Sequence, residues 1–481
     1  MKCPNCNGEI PIGQRYCAVC GKKVEVDFGF ISESVAVDAS AKRGRQFEEG
    51  MKFSLAVLVL LLTLAYLYNS YRSVVPIADA EAHIPAPPAP TDESDVTVPS
   101  LDPLEGLPKP KIDIPATGLV GAKRYGYRLG RTKARLIEAR GGDVQTKEAV
   151  DKGLRYLAHA QHRLGTGGGG WSAARTGGKA KNANQGVTAL ALLAFLADGH
   201  VWVPLEGSKV SAHGEVVKKG IHWLVYGQQP DGLLAAKKDN KLNYSHAMAT
   251  IALTEALAMS GDGRLQGSAE KAVKLIIDGQ RPNGGWNYTN EPGSERADTS
   301  VTGWQVMALV SARRAGLKVP EATLKGAMRW FDSVTDGRTA MTGYEKRPGA
   351  TKGTSRQYHS TTAISLLCRL ASGLPQERKL LLRQASILAA RPPQWGTNWR
   401  PDTCAKRVDL YYWYHATEAM FLLGGSHWEK RWNPDLKTAL VATQNPAQGY
   451  WPAHTLWGEQ GGTAYTTSLA VLCLTTYYRY P

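Results

Sequence analysis

Residues 268–312 read SAEKAVKLIIDGQRPNGGWNYTNEPGSERADTSVTGWQVMALVSA, and this stretch contains the unit from which most of the chain is built. Its first part, 268–280, places apolar residues on one face and charged residues on the other, which predicts a helix with one buried face. Its last part, from Gly303 onward, is apolar or small on every side, which predicts a helix enclosed by protein.

The enclosed type of segment recurs six times between Gly186 and Tyr477. A helix with one buried face precedes each copy, over 147–161, 215–228, 268–280, 323–334, 376–389 and 435–444. Successive copies are 61, 56, 57, 56 and 50 residues apart when aligned on Leu192, Leu253, Leu309, Leu366, Leu422 and Leu472. A repeat of this size holds one helical hairpin. The enclosed segments are too apolar to line the solvated groove of an open solenoid, so we expect an all-α fold in which six hairpins close into a double-layered α/α toroid over 121–481.

The turn between the two helices of a repeat carries a second pattern. Gln280 ends the outer helix, and Gly284 and Trp286 follow it; Gln444 and Trp451 repeat the arrangement with one extra residue. Two further copies are looser, one beginning at Gln161 and one, without Trp, reading Gln229-Pro-Asp-Gly232. Glycine permits the positive-φ turn at a helix end, Gln can satisfy exposed carbonyl groups, and Trp can fill the gap between hairpins.

This combination resembles the repeats of the squalene cyclase and protein prenyltransferase superfamily, whose motif is Gln, three residues, Gly, one residue, Trp. The resemblance covers about residues 145–481. It implies an α/α toroid with a central cavity that opens where the inner helices begin. It also implies two possible chemistries, each of which requires particular residues.

The cyclases of this superfamily protonate an alkene with the middle Asp of an Asp-x-Asp-Asp-Thr motif. The matching stretch here runs from Glu295 to Thr299, and Ala297 stands at the position of the proton donor. Asp298 and Glu295 remain as candidate catalytic acids. Asp298 is equally suited to cap the N-terminus of the helix that follows it.

The prenyltransferases hold a catalytic zinc ion with Asp, Cys and His. By resemblance Asp409 matches the Asp, but Tyr411 stands at the Cys and Thr466 at the His. Two of the three ligands are therefore missing, and we expect neither a metal ion nor another cofactor in the toroid.

The starts of the inner helices carry aromatic and imidazole side chains that we expect to face the cavity. His246, His359 and His415 hold nearly the same place in three repeats. Such histidines can converge on a metal ion, bond neighbouring turns within the core, or line an apolar ligand pocket. An aromatic cavity suits an isoprenoid, although the side chains themselves can also fill it. The candidate ligand-binding residues are Tyr244, His246, Trp304, His359, Asp409, Tyr412, His415 and Tyr465.

The N-terminal region, residues 1–26, contains two Cys-x-x-Cys pairs, Cys3 with Cys6 and Cys17 with Cys20. Two such pairs at this separation predict a structural zinc ribbon with four thiolate ligands. Two local disulfides or a redox pair are the alternative. The sequence does not identify the protein partner of the ribbon.

Residues 53–71 carry no charge and are numerous enough to span a bilayer, which predicts a transmembrane helix. The preceding segment, 27–52, is basic near the span. The positive-inside rule then places the ribbon in the cytoplasm and the toroid on the periplasmic side of a bacterial-type inner membrane. A linker over 72–120 is acidic and rich in proline, which is typical of a semi-rigid spacer.

The charge of the chain is concentrated in the toroid, since residues 121–481 carry 47 basic and 27 acidic side chains. Such a surface attracts anionic lipids or glycans. With the familiar catalytic residues missing, we expect a membrane-anchored, non-catalytic binding or scaffold module with an aromatic cavity for an isoprenoid-like or peptide ligand. The alternatives are a terpenoid cyclase-like enzyme with a non-standard acid, and adhesion to acidic envelope glycans or lipids.

Overall fold

The structure is a computed structural model, and it describes residues 125–165, 168–204, 210–291, 294–349, 355–395 and 408–480. The predicted zinc ribbon, basic segment, span and linker all lie outside the described residues. Among the helices that the structure does describe, none combines the length and the apolar character needed to cross a bilayer.

The described residues form thirteen α-helices and one short pair of strands, His162–Arg163 with Gly169–Gly170. The helices are α1 Gly130–Ala139, α2 Val144–Ala160, α3 Asn184–Ala197, α4 Gly214–Tyr226, α5 Leu242–Ser260, α6 Gln266–Asp278, α7 Thr299–Arg314, α8 Glu321–Val334, α9 Ser355–Ala371, α10 Arg378–Ala389, α11 Leu410–Leu423, α12 Asn433–Val441 and α13 Gly458–Arg479. From α2 onward, outer and inner helices alternate, so the described chain contains the six predicted hairpins. The additional helix α1 precedes the first hairpin and was not predicted.

The inner helices form a closed ring. Each of α3, α5, α7, α9 and α11 packs against the inner helix that follows it, and α13 packs back against α3. Outer helix α12 likewise contacts α2. The prediction of an all-α toroid that closes, rather than an open solenoid, is confirmed.

The turns explain why the Gly and Trp positions recur. Gly284 has φ +91°, and a side chain there would place its Cβ 2.0 Å from the carbonyl oxygen of Gly326. The indole Nε1 of Trp286 donates to the carbonyl oxygen of Ile276 at 2.7 Å, so Trp286 closes the end of its own outer helix. The same indole bond runs from Trp171 to Leu157 and from Trp451 to Leu440.

The Gln of the turn links neighbouring repeats. Nε2 of Gln280 donates to Gly284 in its own turn and to Thr323 in the first turn of α8, both at 2.8 Å. In the second repeat this role belongs to Gln228, which bonds Gly232 and Ser268, and not to Gln229 as the sequence pattern suggested.

A buried ionic network closes the end of the ring where the inner helices finish. Arg479 bonds Glu418 at 2.7 Å and Glu255 at 3.3 Å, and Arg128 reaches Glu255 at 3.4 Å. Arg479 and Glu418 are 3% and 0% exposed. The network joins the first and last described segments to two inner helices and occupies this end of the ring. A binding site is therefore expected at the opposite end, where the inner helices begin.

Candidate functional site

A pocket of about 680 Å³ lies at the end of the ring where the inner helices begin. It is formed by the loops that lead into α5 and α7, two neighbouring inner helices. Ten of its eleven lining residues are polar, and the exception is Leu242. The polar lining residues are Lys237, Lys238, Asp239, Asn240, Asn287, Tyr288, Thr289, Asn290, Glu291 and Arg296.

Hydrogen bonds hold the two loops of the pocket in place. Asp239 accepts from the backbone N–H of Lys241 at 2.9 Å and from the Ser245 hydroxyl at 3.1 Å, which ties its loop to the start of α5. Asn243 then crosses to the second loop, where its side chain donates to the Asn287 carbonyl oxygen and to Asn290. The pocket is therefore preformed by contacts between two repeats.

Arg296 connects the pocket to the buried interior. Its guanidinium lies 4.6 Å from the centre of the Tyr288 ring and bonds the Asn287 side chain and the Glu345 carboxylate. One guanidinium nitrogen also lies 3.9 Å from Oδ2 of Asp298. The positive charge is thus shared between the pocket wall and a carboxylate behind it.

Asp298 caps the N-terminus of α7 and is 0% exposed. Its Oδ1 accepts from the backbone N–H of Val301 at 2.9 Å and from the Ser300 hydroxyl at 2.7 Å. Within the described part of the chain, its Oδ2 has no hydrogen-bond partner. Burial outweighs these bonds and the nearby Arg296, so the pKa of Asp298 is raised above its ordinary value of 3.8. The side chain is a helix cap and also a carboxyl group that binds a proton more readily than usual.

Tyrosine hydroxyl groups make contacts at Ser300, which bonds Asp298, and at the pocket lining. The Tyr244 hydroxyl contacts Ser300 Oγ, and the hydroxyl groups of Tyr344 and Tyr288 contact each other. The pKa of Tyr344 is raised by burial first and by the charge of Asp298 second. Two separate sets of hydroxyl contacts therefore lie here, one from Tyr244 through Ser300 to Asp298 and one between Tyr288 and Tyr344.

The centre of the ring holds aromatic rings that pack on one another. Trp304 is 1% exposed and stacks on Tyr414 with ring centres 5.6 Å apart. Its indole N–H donates to the Tyr411 hydroxyl at 3.2 Å, and His415 meets it edge-on at 5.1 Å. Of the predicted aromatic residues, Trp304 is thus packed among Tyr411, Tyr414 and His415.

The three predicted histidines do not converge on one point. His246 accepts from the Leu234 N–H at Nδ1 and donates from Nε2 to the Ala272 carbonyl oxygen, both at 3.1 Å. His415 donates to the Tyr411 carbonyl oxygen, and His359 packs edge-on against Tyr412. Burial lowers the pKa of His246 and of His415 to about 4. Among the described residues no group of three metal-ligating side chains is present.

His246 occupies a position that holds threonine in other repeats. In three repeats, the backbone N–H of the residue two positions after the turn Gly donates to a threonine hydroxyl group. The pairs are Trp286 with Thr302, Trp451 with Thr467, and Trp171 with Thr188. In the second repeat, Leu234 stands two residues after Gly232 and bonds the His246 imidazole instead. The histidine is a structural replacement for a hydroxyl group.

The remaining predicted residues fall in three places. Asp409 caps α11 by accepting from the Tyr412 N–H at 3.1 Å. The Tyr412 hydroxyl donates outward to the Arg391 carbonyl oxygen at 3.0 Å, and Tyr465 is partly buried against the core. Glu295 is exposed, and its carbonyl oxygen accepts from Asn283.

The sequence analysis missed four residues that line or contact the pocket or the carboxyl group, namely Tyr288, Arg296, Ser300 and Tyr344. Arg296 and Ser300 flank Asp298 closely in sequence, so the motif comparison passed over them without assigning a role. Tyr288 and Tyr344 each lie in the loop that precedes an inner helix, two residues after Trp286 and Thr342. That common position is the signal that points to them.

Comparison with solved structures supports the toroid. An inactive variant of the alpha-1,6-mannanase GH76A of Salegentibacter sp. HEL1_6, in complex with alpha-1,6-mannotetrose, is 8% identical with a TM-score of 0.50 and covers 70% of this chain and 99% of that chain. The cellobiose 2-epimerase from Spirochaeta thermophila DSM 6192 is 14% identical with a TM-score of 0.50 and covers 73% and 99%. A type II terpene cyclase from Scytonema is 13% identical with a TM-score of 0.43 and covers 70% and 98%. No protein-family model matches the sequence, and no curated protein matches it either.

The predicted function is wrong. The similar toroids with a TM-score of 0.50 are an alpha-1,6-mannanase and a cellobiose epimerase, whereas we expected a membrane-anchored, non-catalytic binder of an isoprenoid-like ligand or a terpenoid cyclase-like enzyme. Trp304, one of the residues expected to contact an apolar ligand, instead packs against Tyr414 and His415 and is 1% exposed. The α/α toroid is shown; a closer kinship with squalene cyclases or prenyltransferases is not.

Proposed function

We propose that the toroid is a sugar-processing enzyme whose substrate occupies the polar pocket between the loops leading into α5 and α7. The observation that carries the proposal is the lining of this pocket, in which ten of eleven residues are polar. The likeness of the fold to a mannanase and a cellobiose epimerase supports it.

A sugar fits this lining because each of its hydroxyl groups gives up hydrogen bonds to water on binding and needs replacements. The pocket supplies donors from Lys238 and Arg296, acceptors from Asp239 and Glu291, and amide groups such as Asn240 that do both. An isoprenoid offers no hydrogen-bonding partner to the exposed groups among them, such as Lys238, Asn240 and Glu291.

The two acids predicted from the sequence are placed differently with respect to the pocket. Asp298 lies behind its wall, 3.9 Å from Arg296, which lines the pocket. Glu295 neighbours Arg296 in sequence and is exposed. We propose Asp298 as a positioning group that acts through Arg296, and we propose that the pocket carboxylates of Asp239 and Glu291 contact the sugar.

The test uses the full chain with alpha-1,6-mannotetrose and cellobiose as probes, together with a uronic-acid oligosaccharide because the toroid is basic. Calorimetry measures binding and mass spectrometry measures conversion. We expect Asn240→Ala and Glu291→Gln to weaken binding about tenfold each, the loss of one good hydrogen bond. Lys379→Ala, an exposed residue on outer helix α10, is the matched control. The proposal would be refuted if none of the probes binds, or if both pocket variants bind the probes as tightly as the wild type does.

Several predictions from the sequence stay proposals of their own. The basic surface is proposed to attract an anionic glycan. The four cysteines Cys3, Cys6, Cys17 and Cys20 are proposed to hold one structural zinc ion, although they lie outside the described residues. Metal analysis of the purified chain tests this, since one zinc per chain that is lost in Cys6→Ser is the expected result.

A further inference from the structure

We infer that the polar pocket takes an acidic sugar, a uronic acid, whose carboxylate is bound by lysines of the loops leading into α3 and α5. The proposed function supplies the premise that the pocket binds a sugar, and the inference rests on it. The carboxylate lies on the α5 side of the pocket, and further units of an acidic oligosaccharide follow the loop that leads into α3.

Two loops at the end of the ring where the inner helices begin are rich in lysine. Loop 177–183 leads into α3, and loop 235–241 leads into α5 and forms one side of the pocket. Together they carry five lysines and a single carboxylate, that of Asp239. All five lysines are exposed, namely Lys179, Lys181, Lys237, Lys238 and Lys241.

Contacts between the two loops bring these charges to one edge of the pocket. Nδ2 of Asn182 donates to the carbonyl oxygen of Lys238, a lining residue, at 3.3 Å. Lys181 directly precedes Asn182 and is thereby held beside the pocket. Nζ of Lys241 lies 5.2 Å from the centre of the Tyr288 ring, which also lines the pocket. Positive charges from two repeats therefore meet at this edge.

The protein itself balances few of these charges. Lys179 pairs with Glu459 at 3.1 Å, whereas the other four lysines make no ion pair within the described part of the chain. The carboxylate of Asp239 accepts from the backbone N–H of Lys241 and from the Ser245 hydroxyl, which are both uncharged donors. Like charges held together repel one another, and a bound anion offsets that repulsion.

The opposite side of the pocket has the reverse balance. Loop 287–298, which leads into α7, carries three carboxylates and one cation, Arg296. Arg296 pairs with the Glu345 carboxylate and lies 3.9 Å from Oδ2 of Asp298, so its charge is already balanced. A ligand carboxylate is therefore attracted to the lysine side, and the amide groups of Asn287 and Asn290 remain for the uncharged hydroxyl groups of the sugar.

A uronic acid fits this division better than a nucleic acid does. Grooves that bind single-stranded nucleic acids combine basic residues with aromatic rings on which the bases stack. Tyr288 is the only aromatic residue of the pocket lining, and the cationic groups of Arg296 and Lys241 already lie against its ring. The lining thus offers charge and hydrogen bonds, which a sugar acid uses, and no uncovered stacking platform.

The first experiment compares a sugar acid with its uncharged ester. Tetragalacturonate and its methyl ester have the same rings and linkages and differ only in charge, and tetramannuronate with its methyl ester forms a second pair. Calorimetry on the full chain measures binding at low and high salt. We expect at least one acid to bind about 20-fold more tightly than its ester, the size of two exposed ion pairs, and the difference to shrink as salt is added.

Variants locate the charge effect. Lys237→Gln and Lys238→Gln should each weaken binding of the acid about fivefold and leave binding of the ester within about twofold of wild type. Asn240→Ala should weaken acid and ester by the same factor, because an amide group does not distinguish them by charge. Lys379→Gln makes the same change of charge on outer helix α10, where the side chain is also exposed, and should alter neither.

Lys181 tests the course of the oligosaccharide along loop 177–183. Lys181→Gln should weaken binding of hexagalacturonate about fivefold and leave binding of digalacturonate unchanged, because only the longer chain extends past the pocket. An unchanged affinity for the hexamer would overturn this placement.

The outcomes separate this inference from the proposed function. If neither uronate binds more tightly than its ester while alpha-1,6-mannotetrose or cellobiose binds, the inference falls and the proposed function stands. If a uronate binds through the lysines and mass spectrometry finds that no sugar is converted, the acidic ligand stands and the proposed enzyme falls. A DNA oligonucleotide of equal charge that binds as tightly, and loses affinity in the same lysine variants, would also overturn the inference.

Discussion

The side-chain nitrogen of Gln444 donates a 2.8 Å hydrogen bond to the carbonyl oxygen of Ala149, which lies 295 residues earlier in the chain. Ala149 belongs to α2, the first outer helix, and Gln444 follows α12, the last one. Gln280 makes the same bond to Thr323 between adjacent repeats. The last and first repeats are therefore joined by the same type of hydrogen bond that joins neighbouring repeats.

Gln444→Ala should destabilise the toroid by about 2 kcal/mol, because it removes two hydrogen bonds, to Ala149 and to Gly449, each contributing about 1 kcal/mol. Urea denaturation measures the free energy of unfolding. Gln448→Ala is the control, since Gln448 lies in the same turn and is exposed. Equal stability of the two variants would show that the Gln444 bonds do not contribute to closure.

His246 should make the stability depend on pH. Burial lowers its pKa from 6.5 to about 4, so between these values the unfolded chain binds a proton that the folded chain does not. The stability that the neutral His246 side chain contributes is fully present above pH 6.5 and is lost as the pH falls towards 4. His246→Gln, which stays neutral, should flatten the pH dependence of unfolding in this range. His159→Gln, at an exposed position, should leave the dependence as it is.

Asp298 should act in the opposite direction. Its raised pKa means that the folded chain binds a proton more tightly than the unfolded chain, so stability falls as the pH rises from 3.8 through the folded pKa. Because the amide of Asp298→Asn does not titrate, the stability of this variant relative to wild type should increase as the pH rises through this range. Asp298→Ala loses the cap and should be about 1 kcal/mol less stable than Asp298→Asn at any pH. Unfolding measured across a pH series distinguishes the two effects, and identical pH profiles for wild type and Asp298→Asn would contradict the shift.

Arg479→Met should cost about 3–5 kcal/mol, because it leaves the buried carboxylate of Glu418 without its cationic partner and leaves Glu255 with Arg128 alone. Adding Glu418→Gln to this variant should recover part of the loss by removing the unpaired charge. Arg329→Met, on the exposed face of α8, is the control. The thermal midpoints of the four proteins test the order, and a double variant no more stable than Arg479→Met would argue against a charge effect.

The sequence predicts most of the fold because the signals are local. An outer helix such as 268–280 has one apolar face, and the predicted ranges agree with the observed helices to within a few residues. The recurrence of the turn through Gly284 and Trp286 indicates how hairpins repeat. The helix α1 escaped prediction because it lies before the first repeat, where no comparison between copies guides the interpretation.

The candidate site was predicted less well, because proximity of residues to the start of an inner helix does not determine where their side chains point. His246 turns outward to the Ala272 carbonyl oxygen, and Tyr412 turns outward to Arg391. Trp304 points inward but is covered by Tyr414. The pocket that we propose as the substrate site is instead formed by loop residues whose composition carries no periodic signal.

By itself, the sequence determined that this protein contains a closed ring of six helical hairpins. Apolar periodicity and turn glycines act within one repeat, so each hairpin can be recognised from its own residues. Only the tertiary structure decided what the ring encloses. The stacking of Trp304 on Tyr414 and the contact between the Tyr288 and Tyr344 hydroxyl groups join residues of different repeats. Such contacts depend on how the hairpins pack against one another, and that packing leaves no pattern in the linear order of residues.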